Sequence, residues 1–111
     1  VDHQGISFNT YDWDFAPYLL KLKRRIERNI YPPPAFTHLG IGGNNVIRFR
    51  ITRDGKLIGP EILGHEGEKA LVETSKQAVE VSAPFWPLPD DFPRDYLEVT
   101  ARFYYVVHES S

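Results

Sequence analysis

Cysteine and methionine are both absent from this 111-residue chain, and each absence excludes something. Without cysteine there can be no disulfide framework, no thiolate nucleophile and no cysteine-based zinc site. The same absence suits an oxidising compartment. With no methionine even at the first position, a chain that begins at Val1 is expected to be a piece of a longer one. No apolar run approaches the roughly 18 residues that cross a bilayer, and nothing resembles a signal peptide, so any anchor or address is expected outside this segment. A dominant charge is lacking too. Lys and Arg number 13 against 15 Asp and Glu, a formal net charge of -2 that removes the global positive field used by non-specific nucleic-acid binders.

What is present is globular material. The chain is 41% hydrophobic, 25% charged and 14% aromatic, far from the low-hydrophobicity, high-charge range of disordered chains. A domain of this length hides roughly two-thirds of the surface its unfolded chain exposes, enough for one core.

Residues 1–13 mix Gly5, Ser7, Asn9 and Thr10 with isolated apolar residues and read as an arm that orders on contact, while 109–111 form a tail. From Asp14 a helix is expected to run to Ile30. Asp14 can cap it, Pro17 suits its first turn, and Phe15, Leu19, Leu22, Ile26 and Ile30 recur at helical spacing. Lys21, Lys23, Arg24, Arg25 and Arg28 make its other face basic, a solvated surface or a contact for an acidic partner, and Pro32, Pro33 and Pro34 stop it. Gly40, Gly42 and Gly43 precede a strand, the wrong context for a phosphate-binding loop.

Asn45–Thr52 alternates as a half-buried strand, with Ile47, Phe49 and Ile51 on one face. Asp54-Gly55 signals a hairpin, and the chain returns over Lys56–Leu63. A two-residue turn opposes Ile51 to Ile58, Ile47 to Ile62 and Arg48 to Glu61. A three-residue turn opposes Ile51 to Leu57, and an irregularity at Gly59-Pro60 reconciles the two. Pro60, which cannot donate to a ladder, places this second strand at a sheet edge. Gly64–Gly67 reads as a loop. Glu68–Ser82 reads as a second helix whose inner face is Leu71, Ser75, Ala78, Val79 and Ser82. The proline-rich stretch after it is an extended crossover in which Phe85, Trp86 and Leu88 plug the core. Asp95–His108 is the longest strand, with Leu97, Val99, Ala101, Phe103, Tyr105 and Val107 on one face and Arg102 and Tyr104 on the other. A right-handed crossover sets the strand order two, one, three and leaves the last strand as an exposed edge.

The residues therefore predict an α+β fold of two helices packed on a three-stranded antiparallel sheet, occupying 14–108. Little chemistry accompanies it. His3, His38, His65 and His108 are scattered, with no paired spacing for a metal, and Asp90 and Asp91 read as a solvated turn. No catalytic set and no cofactor are expected. The rival to a binding module is a small enzyme using His65 or His108 with Asp90 or Asp91.

An ordered series of signals carries a resemblance: Arg28-Asn29-Ile30-Tyr31-Pro32-Pro33, then Asn45-Val46-Ile47-Arg48-Phe49-Arg50-Ile51 with Arg53-Asp54-Gly55-Lys56-Leu57, then Gly67, Leu71, Ala78-Val79, Ala83-Pro84-Phe85-Trp86-Pro87-Leu88-Pro89 and Arg102-Phe103-Tyr104-Tyr105. Over roughly Tyr18 to Tyr105 the chain resembles the C-terminal domain of the TonB family of energy transducers, and the TolA C-terminal domain is similar. The resemblance implies a periplasmic domain that grips the TonB-box peptide of an outer-membrane transporter. An inner-membrane anchor engaging a proton-driven complex of the ExbB and ExbD type would lie in the missing N-terminal part. It also implies that Arg28 and Asn29, just before Tyr31-Pro32, contact the transporter. This sequence departs from the familiar pattern by placing charge there, and the TolA alternative would make it an envelope-integrity interaction domain.

An exposed edge supplies a mechanism for the grip, because its free N–H and C=O groups accept an added strand. The candidate partner-binding residues are Arg28, Asn29 and Tyr31 together with Leu97, Val99, Ala101, Arg102, Phe103, Tyr104 and Tyr105. An edge of that length also suits pairing with a second copy of the chain.

Overall fold

The computed structural model describes residues 2–8 and 15–107. They form seven elements: β1 (Asp2–Phe8), α1 (Ala16–Glu27), α2 (Pro34–Leu39), β2 (Gly43–Thr52), β3 (Leu57–Gly67), α3 (Ala70–Ser82) and β4 (Tyr96–Val107). All strand pairs are antiparallel, in the order β1-β4-β2-β3. The expected order of the last three strands holds and the α+β class stands, but the sheet has a fourth strand. Residues 2–8, read as an arm, pair along β4 from Asp2 opposite Val107 to Phe8 opposite Ala101. The last strand is therefore not the free edge expected of it. Asp14, His108 and the tail 109–111 lie outside the described residues.

Both long helices pack on one face of the sheet. In α1, Tyr18, Leu22 and Ile26 follow each other four residues apart and are buried, Pro17 sits in the first turn, and Arg24 and Arg25 occupy the last turn where they complement the helix dipole. The helix stops at Glu27, earlier than expected, and Ile30 is buried from the turn that follows. α3 buries Leu71, Ser75, Ala78, Val79 and Ser82, and its small residues let it lie close to the strands. Between the layers Ile47, Phe49, Ile51, Val99, Ala101 and Phe103 are almost wholly buried, each large side chain contributing about 1.5–3 kcal/mol. The prolines that stop α1 also start α2: Pro34 is its first residue, where the missing N–H costs nothing.

The β2–β3 hairpin combines the two registers foreseen, the three-residue one at its tip and the two-residue one beyond an irregularity. Ile51 opposes Leu57, Arg48 opposes Glu61 and Ile47 opposes Ile62, with a shift between Arg48 and Arg50 that falls at Gly59-Pro60. The tip closes through Thr52 N–H to Lys56 O at 2.9 Å, with Gly55 at a φ of +91°. β3 runs on to Gly67, so the loop expected at 64–67 is strand. Its far side carries no described strand, so β3 forms one edge of the sheet and β1 the other.

The proline-rich crossover is tied to the hairpin tip. Phe85 N–H donates to Gly55 O at 2.8 Å and Leu88 N–H to Arg53 O at 3.0 Å. The Arg53 guanidinium donates to the carbonyls of Phe92, Arg94 and Asp90. Phe85 and Leu88 are buried as expected, and Phe92 joins them, edge-on to Phe15 at 4.9 Å.

Candidate partner-binding site

Alternation along β4 divides its candidate residues in two. Leu97, Val99, Ala101, Phe103 and Tyr105 point into the core and are buried. Only their backbone is available to a partner. Arg102 and Tyr104 point to the open face, where Arg102 donates to Asn44 Oδ1 at 2.8 Å and the Tyr104 hydroxyl lies 3.0 Å from Ser7 Oγ. Tyr105 ends in a buried hydrogen bond with Ser75 Oγ at 2.7 Å, and burial pushes its phenol up to about 12 despite that bond.

The backbone of β4 is engaged on both sides over part of its length. β2 lines one side from Tyr96 to Tyr105. β1 lines the other from Ala101 to Val107, and no described strand flanks Tyr96–Thr100 there. Within β1, Ile6 is only 4% exposed, inserted beside Phe103, and Phe8 is half-buried opposite Ala101. The pairing of Ile6 and Phe8 with polar Ser7 between them is the short alternation that could have revealed the strand. It was obscured by Gly5 and by its brevity.

The second cluster lies where α1 ends. Tyr31 is 76% exposed and Arg28 is exposed, both lining an open groove with Pro32, Pro33, His38 and Glu73. Asn29 faces the other way. Its Nδ2 donates to Ser82 Oγ at 2.8 Å and to Arg25 O at 3.1 Å, bracing α1 against the end of α3. β1 passes close to the end of α1: a Cβ built on Gly5, the residue opposite Tyr104, would lie 3.9 Å from Glu27 Oε2.

The basic face of α1 is only partly free. Lys21 Nζ sits 4.2 Å from the centre of the Trp86 ring and the Arg25 guanidinium carbon 5.5 Å away, and Arg25 Nε donates to Ser82 O at 2.6 Å. These cations hold the crossover against α1, helped by Tyr18, whose hydroxyl donates to Trp86 O at 2.8 Å and whose burial pushes its phenol up to about 12. The pairing of His65 with Asp90 is not assembled. His65 lies opposite Asn45 near the start of β2, whereas Asp90 O accepts from Arg53 just beyond the end of β2, about 25 Å of strand away. Among the described residues no group of three or more His, Asp or Glu is gathered as a metal site.

Comparison with known proteins agrees with this geometry. The family described as Gram-negative bacterial TonB protein C-terminal matches residues 27–107, from the end of α1 to the end of β4. Two solution structures of the C-terminal domain of TonB from Helicobacter pylori share the fold at 19% identity. One superposes with a TM-score of 0.70, covering 85% of this chain and 84% of that one, and the other with 0.67, covering 84% and 97%. A search of curated proteins finds no match. Because the family match takes in nearly three-quarters of the sequence, both helix-end and last-strand clusters included, this chain belongs to the TonB C-terminal family.

Proposed function

We propose that this domain is the periplasmic, partner-gripping end of a TonB-type energy transducer. It binds the TonB-box peptide of an outer-membrane transporter by strand addition along β4, with Arg28 and Tyr31 as a second contact. The rest of that transducer would anchor it in the inner membrane of a Gram-negative bacterium and couple it to a proton-driven complex of the ExbB and ExbD type. The observation that carries this reading is the family match, which spans both clusters. The buried inward side chains of β4 support the mode of binding, since a strand whose side chains are already spent on the core can offer a partner little except main-chain groups. Affinity would then be tolerant of peptide sequence and modest, as a small interface implies.

Titration of the isotope-labelled domain with TonB-box peptides from the organism's own transporters is the test. Amide signals of Leu97 to Val107 are expected to shift, and Tyr31→Ala to weaken binding without unfolding the domain. Saturating peptide that leaves those amides unmoved, even with β1 detached, would remove the reading.

A further inference from the structure

The strand that the proposed peptide would add to β4 has a place already taken by β1. We propose that β1 is a displaceable stand-in: it closes the β4 edge in the resting domain, and an incoming extended peptide replaces it by placing an apolar side chain at the register of Ile6. This inference rests on the transporter reading above and adds to it a regulation and a selectivity.

β1 has the properties of a strand held loosely. It is a seven-residue segment, DHQGISF, against ten residues of β2 on the other flank of β4. Ile6 is its fully buried side chain among those described, while β2 buries Ile47, Phe49 and Ile51. Gly5 lies mid-strand, where it adds no packing and has the most conformational freedom to lose. Pairing specified by so few core residues is the first to open locally. The contact is nonetheless favoured by linkage: a tethered strand competes at an effective concentration of about millimolar, so it protects an otherwise sticky edge until a better strand arrives.

Selectivity follows from what departure of β1 leaves behind. Ile6 belongs to the hydrophobic core, beside Phe103 and under α1. Lifting it away bares apolar surface that only an apolar side chain at the same position can cover again. A peptide with a charge there would gain the main-chain hydrogen bonds but not the core contact. The Tyr96–Thr100 stretch of β4, which no described strand flanks on that side, offers such a peptide a place to begin pairing before β1 has left.

The absence of cysteine makes a clean test available. Ser7 and Arg102 face each other across the β1–β4 pair and are both exposed, so Ser7→Cys with Arg102→Cys locks the strand when oxidised and frees it when reduced. Ile6→Asp detaches it instead, with continued β2–β4 amide protection showing that the rest stays folded. Titrated with a TonB-box peptide, the locked form is expected to bind at least about tenfold more weakly than its reduced form, and Ile6→Asp at least about tenfold more tightly than the parent chain, because apparent affinity scales with the open fraction. Equal binding by locked and reduced forms would overturn the stand-in while leaving the transporter reading in place. No binding by any form, the detached one included, would remove the transporter reading and this inference with it.

Discussion

At Gly55 two requirements coincide. Its φ of +91° is one that L side chains rarely adopt, and a Cβ there would stand 2.2 Å from Phe85 O. The glycine therefore does more than permit the turn, since it lets the crossover backbone press onto the hairpin tip and receive the Phe85 N–H bond. Gly55→Ala is expected to destabilise the domain by at least about 2 kcal/mol in urea unfolding, above the usual cost of a surface substitution. That a turn needed this glycine is readable from Asp54-Gly55. That the turn would be clamped by Phe85, and by the Arg53 guanidinium reaching three carbonyls, is not, because those partners lie thirty or more residues away in the chain. The intramolecular partner of Asn29 is hidden from the sequence for the same reason. Its place before Tyr31-Pro32 suggests an outward contact, yet its side chain is engaged by Ser82.

Among the elements, α3 owes its position to small side chains. Ser75, Ala78 and Ser82 are wholly buried at successive turns, and these small residues among Leu71 and Val79 let the helix lie close against β2 and β3. Ala78→Leu would add a side chain where none fits, and overpacking of this kind costs about 1–3 kcal/mol, measurable as a lower urea midpoint with an unchanged slope. The inner faces of α3, β2 and β4 are legible in sequence because long segments repeat their period several times. β1 and α2 are not, since the alternation of β1 is interrupted by Gly5 and the six residues of α2 hold fewer than two helical repeats. The β3 register sits between these cases. Both alternatives were visible, and the bulge at Gly59-Pro60 together with the three-residue tip decided for Leu57 opposite Ile51.

For the molecule as a whole, the layout is one-sided. Helices and crossover cover one face of the sheet, while the other carries Arg48–Glu61 at 3.0 Å, Arg50–Glu98 at 3.1 Å and Arg50 over Tyr96. These exposed pairs add solubility more than stability. At alkaline pH two buried phenols contribute to stability. Tyr18 and Tyr105 are held neutral, with pKa values raised by burial from 10 to about 12. A raised phenol pKa means that the folded state keeps protons the unfolded chain has lost. The contribution is therefore whole below pH 10 and disappears between about pH 10 and 12, on the order of 2 kcal/mol for each group. Alkaline unfolding followed by circular dichroism should fall in that window, and Tyr18→Phe with Tyr105→Phe should flatten the loss of stability across it.

The sequence by itself determined the helical and strand faces, the hairpin, the order of three strands and the family, because each is written in local periodicity, turn chemistry or an ordered set of motifs. Pro60 already placed β3 at an edge, and the tertiary structure alone decided that β4 is not one. Whether a strand is central or peripheral depends on what lies beside it, and the neighbour of β4 comes from the far end of the chain with Ile6 the one buried residue among its described side chains. The candidate site is altered accordingly. Its residues stand where the alternation of β4 puts them, but from Ala101 to Val107 the backbone is already paired with β1, so the proposed binding there would be an exchange of strands rather than a simple addition.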